Sequence, residues 1–353
     1  MKLFKSLLVA PATLGLLAPM SASANEVTIN DFNAAEEIAV TNSRVDGLEA
    51  RFNDLEAGSF SETTTASFGV DFLVGAVDGA TNEKTTFDYQ MGIGLETSFT
   101  GEDSLSATID IGNAVATSAL SGTSGMNFDG TTDALKLDGL TYTFPLGGAT
   151  VMVGDNTDIS AVYTGACAYS SFTDYMGNCG TGNSVGVGGN GATAAMSYAF
   201  DSGFSLAGGV SSTPTSILTE EGTDTFGIEA AFTADSYGVA VAYADAETTT
   251  FWGINGMYAF DFATISAGLE SQDDGTEATG FFVGLSFAEV GAGSLDIGMG
   301  TTGNFADGDT EYYIYEASYA YPINDGMTIT PGVYIREGVS DQTGVAVKTS
   351  FSF

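Results

Sequence analysis

The chain has 353 residues, with 45 acidic and 8 basic side chains and no histidine, for a formal net charge of −37. Acidity on this scale excludes nucleic-acid recognition through the phosphates, and the lack of histidine excludes Ser-His and Cys-His catalytic couples. With 44% hydrophobic residues the chain still has the apolar content of a folded protein, so the charge is no sign of disorder.

Residues 1–24 read as a secretory signal. Lys2 and Lys5 form a basic start, Leu7 to Ala18 an apolar run, and Ala22-Ser23-Ala24 a cleavage site before Asn25. The apolar run is too short for a spanning helix and is interrupted by Pro11 and Pro19; no later stretch approaches the roughly 20 apolar residues such a helix needs. Residues 25–60 read as a short periplasmic helix or coiled coil. Ile38, Thr41, Val45, Leu48, Phe52 and Leu55 follow a three-four spacing, with Arg44, Glu49, Arg51 and Asp54 around the seam. Two to three heptads are too few to associate unaided, so an amphipathic helix packed on its own barrel is the competing reading.

From residue 61 to the end the apolar period is two. In 236–244, Tyr237, Val239, Val241 and Tyr243 fall on one face, and Gly238, Ala240, Ala242 and Ala244 on the other. In 87–99, Phe87, Tyr89, Met91, Ile93 and Leu95 oppose Asp88, Gln90, Gly92, Gly94 and Glu96. Alternation sustained this long means strands of membrane-spanning rather than soluble length. Sixteen such segments follow one another: 62–77, 84–100, 103–115, 133–145, 149–158, 191–200, 204–213, 222–234, 236–246, 248–260, 262–272, 277–288, 293–303, 310–322, 327–336 and 341–353. Tight turns such as Gly101-Glu102-Asp103, Pro145-Leu146-Gly147-Gly148, Asp201-Ser202-Gly203 and Asn324-Asp325-Gly326 follow the even-numbered segments. Longer loops, above all 116–132 and 159–190, follow the odd ones. The expected class is all-β: a transmembrane antiparallel β-barrel of about 16 strands over 61–353, preceded by the helical segment. Its turns and both termini would lie in the periplasm and its loops outside.

Rings at strand ends (Tyr237, Tyr243, Trp252, Tyr258, Phe260, Tyr313, Tyr315, Tyr319 and Tyr321) suit the interfacial girdles of such a barrel. The terminal Phe353, outward on the last strand, resembles the assembly signal of bacterial outer-membrane barrels. It implies the barrel assembly machinery and outer-membrane lipid as partners.

With the apolar face outward, the lumen receives Asp71, Asp88, Glu96, Asp110, Asp138, Glu229, Glu270, Asp296 and Glu316, with Lys136, Arg336 and Lys348 as its basic residues. Asp155, Asp158 and Asp174 lie in or beside the long loop of 159–190, which by analogy with general porins folds inward and narrows the channel. No lysine or arginine occurs between Lys136 and Arg336, so a ring of basic groups cannot be built there and the pore is expected to favour cations. Cys167 and Cys179, both in this loop of an exported chain, fit no zinc motif and are expected to form a disulfide. No metal site, cofactor or catalytic residue is expected.

Two patches carry a more specific resemblance. Residues 44–57 (Arg44 to Ala57), followed by Phe60-Ser61 and Thr63-Thr64-Thr65, resemble the coil-to-barrel junction of cyanobacterial porins of the iron-uptake or carbohydrate type; Met1 to Ala18 and Leu137 to Gly147 are also similar. The resemblance implies passive diffusion of small hydrophilic solutes and inorganic ions, iron or sugars among them. A homotrimer follows only by analogy. One feature departs from the family: its S-layer-homology domain has no counterpart between Asn25 and about Asn42, which puts the implied cell-wall tether in doubt. A barrel that binds a partner at the cell surface without conducting is the alternative.

Overall fold

The computed structural model describes residues 64–80, 83–115, 118–120, 126, 128–175 and 191–353. The expected signal (1–24), the helical segment (25–60) and Cys179 lie outside these residues.

The described chain forms one closed antiparallel sheet. Its strands are β1 (Thr64–Asp78), β2 (Thr86–Thr97), β3 (Ser104–Gly112), β4 (Lys136–Leu146), β5 (Ala149–Thr157) and β6 (Gly191–Ala199). They continue with β7 (Phe204–Ser212), β8 (Asp224–Thr233), β9 (Tyr237–Asp245), β10 (Thr250–Ala259), β11 (Thr264–Asp273) and β12 (Glu277–Val290). The last are β13 (Gly293–Thr301), β14 (Phe305–Ala306), β15 (Tyr313–Asn324), β16 (Met327–Arg336) and β17 (Gln342–Ser352). Each strand but β14 pairs with the long strands before and after it, β13 with β15, and β17 pairs with β1 to close the barrel. The two-residue β14 pairs only with β12, beside which it continues the line of β13. The barrel therefore has sixteen strand positions, as the alternation implies.

The parity of each strand sets its two faces. On β9, Tyr237, Val239, Val241 and Tyr243 are exposed outward, while Gly238, Ala240, Ala242 and Ala244 are buried inward. Outward rings gather at strand ends into contacts such as Phe204–Phe232–Tyr237 and Tyr258–Phe260–Phe262. The seam is closed by Phe353: its N–H donates to the Phe68 carbonyl (3.0 Å), the Phe68 N–H donates back (2.9 Å), and the two rings stack at 5.6 Å.

The turn between β2 and β3 is organised by one carboxylate. Asp103 Oδ1 accepts from the amides of Phe99 (2.9 Å) and Thr100 (2.8 Å) and from the hydroxyls of Ser98 and Thr100. Its Oδ2 accepts from the Tyr142 hydroxyl (2.7 Å), which ties the turn to a girdle ring. These donors, the Thr100 amide foremost, hold the Asp103 carboxyl well below the usual carboxylate range.

Two loops from the opposite end of the barrel enter it. Ala114, Ala119, Leu120, Met126 and Phe128 of the β3–β4 loop pack with Phe172 of the β5–β6 loop against inward Leu73, Val77, Phe282, Ile314, Tyr334 and Ala346. A hydrophobic core thus forms inside the barrel, built from two loops where only that of 159–190 was expected to fold inward. These apolar loop residues show no period, so the sequence alone does not mark the β3–β4 loop as an inserted one.

Candidate functional site: the loop-lined lumen

The candidate site is the lumen beside the inner loop, described over 158–175. Asp158 caps its opening 3-10 helix, Ile159–Val162, by accepting from the Ser160 amide at 2.7 Å. Ile159 is fully buried against Met152 and Ala195, which anchors the loop base to β5 and β6. The chain then crosses the inner wall strand by strand.

Glu229 on β8 accepts from the Thr164 amide (2.6 Å) and the Gly165 amide (3.1 Å). The Thr164 hydroxyl meets Ser205 of β7 at 2.8 Å. Asn255 on β10 accepts from the Ala166 amide (3.0 Å), and Ser266 on β11 from the Ala168 amide (3.1 Å). Glu316 on β15 closes the series with four donors: the Phe172 amide (2.7 Å), the Thr173 amide (2.8 Å), the Thr173 hydroxyl (2.6 Å) and the Tyr169 hydroxyl (2.9 Å). Beyond it, Arg336 of β16 lies over the Tyr175 ring at 5.0 Å.

Packing follows the same track. Ala166 sits on Ala231 and Ala240. The wall is hollowed by glycine where rings must fit: a Cβ at Gly284 would lie 2.3 Å from the Tyr169 ring, and one at Gly332 2.4 Å from the Phe172 ring. Neither space allows a side chain. Burial raises the Tyr169 hydroxyl above its ordinary pKa, with the Glu316 charge adding to the effect, so at neutral pH it keeps the proton that it donates to Glu316.

The pore-lining candidates fall into several settings. Glu229, Glu270, Asp296 and Glu316 point inward and are buried. Glu229 and Glu316 hold loop amides, and Asp296 accepts from the Ser286 hydroxyl of β12. Asp88 is inward and buried too, accepting from Ser118 of the β3–β4 loop at 2.6 Å. Asp158 is a helix cap. Asp155 stands in register with Leu140, on the outward parity it shares with Val151 and Val153; the next residue, Asn156, takes a φ of 53° where the register with β6 shifts. Asp138 is the extra residue where the β3–β4 register shifts.

The remaining candidates lie on the wall away from the loop. Asp71 accepts from the Gln90 amide group at 2.9 Å, Glu96 is exposed on the inward parity of β2, and Asp110 pairs in register with Lys136. Lys348 is inward on β17, in register with Leu73 and Thr330. In the β3–β4 loop, burial and the charge of Asp138 raise the Asp129 carboxyl. Asp174 is exposed on the loop. Cys167 is disulfide-bonded. Among the described residues no group of three or more acidic or cysteine side chains converges as metal ligands. Grooves on the outer face, such as the one beside Leu206, Phe226 and Ile228, lie between outward side chains and outside the lumen.

Sequence reasoning missed Asn255 and Ser266 as loop acceptors and Gly284 and Gly332 as ring seats. Inward parity was the available signal; the partner to which each is fitted lies far along the chain.

No family model matches the chain. An uncharacterised protein of Nostoc sp. is 35% identical over 160 residues, covering 41% of this chain; the match spans only 27% of that relative's length. Among solved structures, two engineered variants of the Rhodopseudomonas blastica porin superpose with a TM-score of 0.58, at 18% and 19% identity. Each match covers 82% of this chain and 100% of the porin. A third variant of that porin gives 0.56 at 16% identity. At such identities the likeness is one of fold: the chain is similar to a porin barrel along the whole length of that barrel.

Proposed function

We propose that the protein is an outer-membrane diffusion channel for small hydrophilic solutes and ions, favouring cations. The observation that carries this reading is the inner loop: a segment of at least eighteen residues, 158–175, runs along the inside of a porin-like barrel and is held to the wall by six backbone amides. Such anchoring is what a constriction of fixed width requires. A barrel serving only as a surface adhesin has no need of it.

The cation preference is supported by the lack of lysine and arginine between Lys136 and Arg336, and by Asp71, Glu96 and Asp110 on the facing wall. Iron or sugars belong to the solute class only through the resemblance to cyanobacterial porins. In this reading the tight turns and both termini face the periplasm, Phe353 is the assembly signal, and Cys167 pairs with Cys179 to brace the loop. The chain assembles as a homotrimer in the lipid of the outer membrane.

The deciding experiment is reconstitution of the detergent-purified protein into a planar bilayer. Discrete conductance steps and a reversal potential of cation sign under a potassium chloride gradient are expected. A correctly folded, heat-modifiable protein that gives no steps would refute the channel reading and favour the adhesin.

A further inference from the structure

The hydrogen bonding of the inner loop runs in one direction. The amides of Thr164, Gly165, Ala166, Ala168, Phe172 and Thr173 all donate to side-chain oxygens of the wall. The described chain contains no cis peptide bond. Across a trans peptide the carbonyl points opposite to the N–H that follows it. The carbonyls of Tyr163, Thr164, Gly165, Cys167, Ser171 and Phe172 therefore point off the wall. Those of Tyr163, Thr164, Gly165, Ser171 and Phe172 accept no hydrogen bond from the described residues. Buried carbonyls find partners almost without exception, so the partner here is lumen water. The exposure of Thr164, Ala168 and Ser170 agrees with this.

Residues 158–175 carry no basic side chain to offset these oxygens. The loop's water-facing edge is thus a row of oriented, partially negative carbonyls. The wall acceptors fix their direction: Glu229, Asn255, Ser266 and Glu316 each hold the N–H end of a peptide dipole. Oriented carbonyls replace part of a cation's hydration and repel anions. The anchoring carboxylates, buried and facing amides, are poorly placed to act on a passing ion themselves.

We propose that the cation preference of this channel is carried chiefly by the main-chain carbonyls of the inner loop, and only secondarily by side-chain carboxylates. The proposal rests on the channel reading above and names the element that selects.

The test is the potassium-to-chloride permeability ratio, taken from reversal potentials in planar bilayers. Asp71→Asn, Glu96→Gln, Asp110→Asn and Asp138→Asn combined remove four carboxylates from the wall and its β4 end, none of which anchors the loop. The combined variant should keep a ratio within about twofold of the wild type. A ratio at or below one would overturn the proposal in favour of side-chain charge. Asn255→Ala with Ser266→Ala removes two neutral acceptors without changing any charge. It should lower the ratio, because two loop peptides lose their fixed orientation; an unchanged ratio also overturns the proposal. This neutral pair decides alone if the fourfold variant does not assemble. Wild-type channels without cation preference would overturn the proposal, whereas a wild type that forms no channels refutes the channel reading instead.

Discussion

The ring of Phe172 fills the volume that a side chain at Gly332 would need, with its Cζ 2.4 Å from the position a Cβ would take. One residue of the inner loop and one glycine of β16 are thus fitted to each other across 160 residues of sequence, and their fit fixes where the loop can lie. Gly332→Leu should expel the ring. Phe172→Ala should leave a hole, a change that costs about 3–5 kcal/mol in a rigid core. Because the loop can lift off the wall without unfolding the barrel, the effect should appear as larger, noisier single-channel conductance with barrel yield retained. Unaltered conductance and noise in both variants would mean that the loop does not border the conducting path.

Glu316 should be the strongest single anchor, since it takes two amides and two hydroxyls of the loop. Hydrogen bonds to a charged acceptor contribute more than neutral ones, about 1.5–3 kcal/mol each. Glu316→Gln keeps one accepting oxygen and should raise open-channel noise moderately. Glu316→Ala strands all four donors and should raise it much further. Ser266→Ala, with one neutral bond to lose, should have the smallest effect on noise. Equal noise in all three variants would contradict the ordering of anchors.

The barrel was legible in the sequence because its signal is local. Strict alternation over nine or more residues, as in β9, needs no distant partner to be interpreted, and turn residues such as Gly147 and Gly203 mark where each hairpin reverses. The loop-lined lumen was only half legible. Parity puts Glu229 and Glu316 inward, but an inward carboxylate reads the same whether it meets water or the amides of Thr164 and Thr173, which lie 65 and 143 residues away. Asp155 was placed in or beside the loop from its position in the chain, although it shares the outward parity of Val151 and Val153. Leu120, Met126 and Phe128 went unnoticed because loop residues that pack inside a barrel have no period.

The cysteine pair bears on the same loop. Cys167 is disulfide-bonded and lies between two wall-held residues, Ala166 and Ala168, and Cys179 is the chain's only other cysteine. Denatured, unreduced protein should take up no thiol label, and should take up two after reduction. Reduction should broaden the conductance distribution by freeing the loop beyond Cys167, with a stability loss of about 3 kcal/mol on the chain-entropy account. Stoichiometric labelling before reduction would exclude the bond.

Asp103 gives the β2–β3 turn a pH dependence of defined sign. Its carboxyl titrates well below the usual range in the folded protein, with the Thr100 amide as the main cause. A lowered native value means that the ionised form stabilises the fold. That contribution is fully present above about pH 4, the ordinary carboxylate value, and is lost as the pH falls through the native one. Asp103→Asn should therefore lower the temperature of the heat-modifiable gel shift at neutral pH, and the gap to the wild type should narrow under strong acid. A gap that does not change with pH would show that the turn depends on the shape of the side chain rather than its charge.

Phe353 joins two roles that substitution can separate. Its backbone makes the last two hydrogen bonds of the β1–β17 seam with Phe68, and its ring, 75% exposed, stacks on the Phe68 ring on the outward face. Deleting Phe353 removes both contributions, whereas Phe353→Ala keeps the backbone pair and removes only the ring. If the ring is the assembly signal, both variants should reach the outer membrane in similarly reduced amounts. If the seam bonds matter more, Phe353→Ala should assemble nearly as well as the wild type and only the deletion should fail. In either case the barrels that do insert should conduct normally, because Phe353 is remote from the loop anchors of β7 to β16. Wild-type yield from both variants would remove Phe353 from the account of assembly, and altered conductance in either would show that seam closure reaches the lumen.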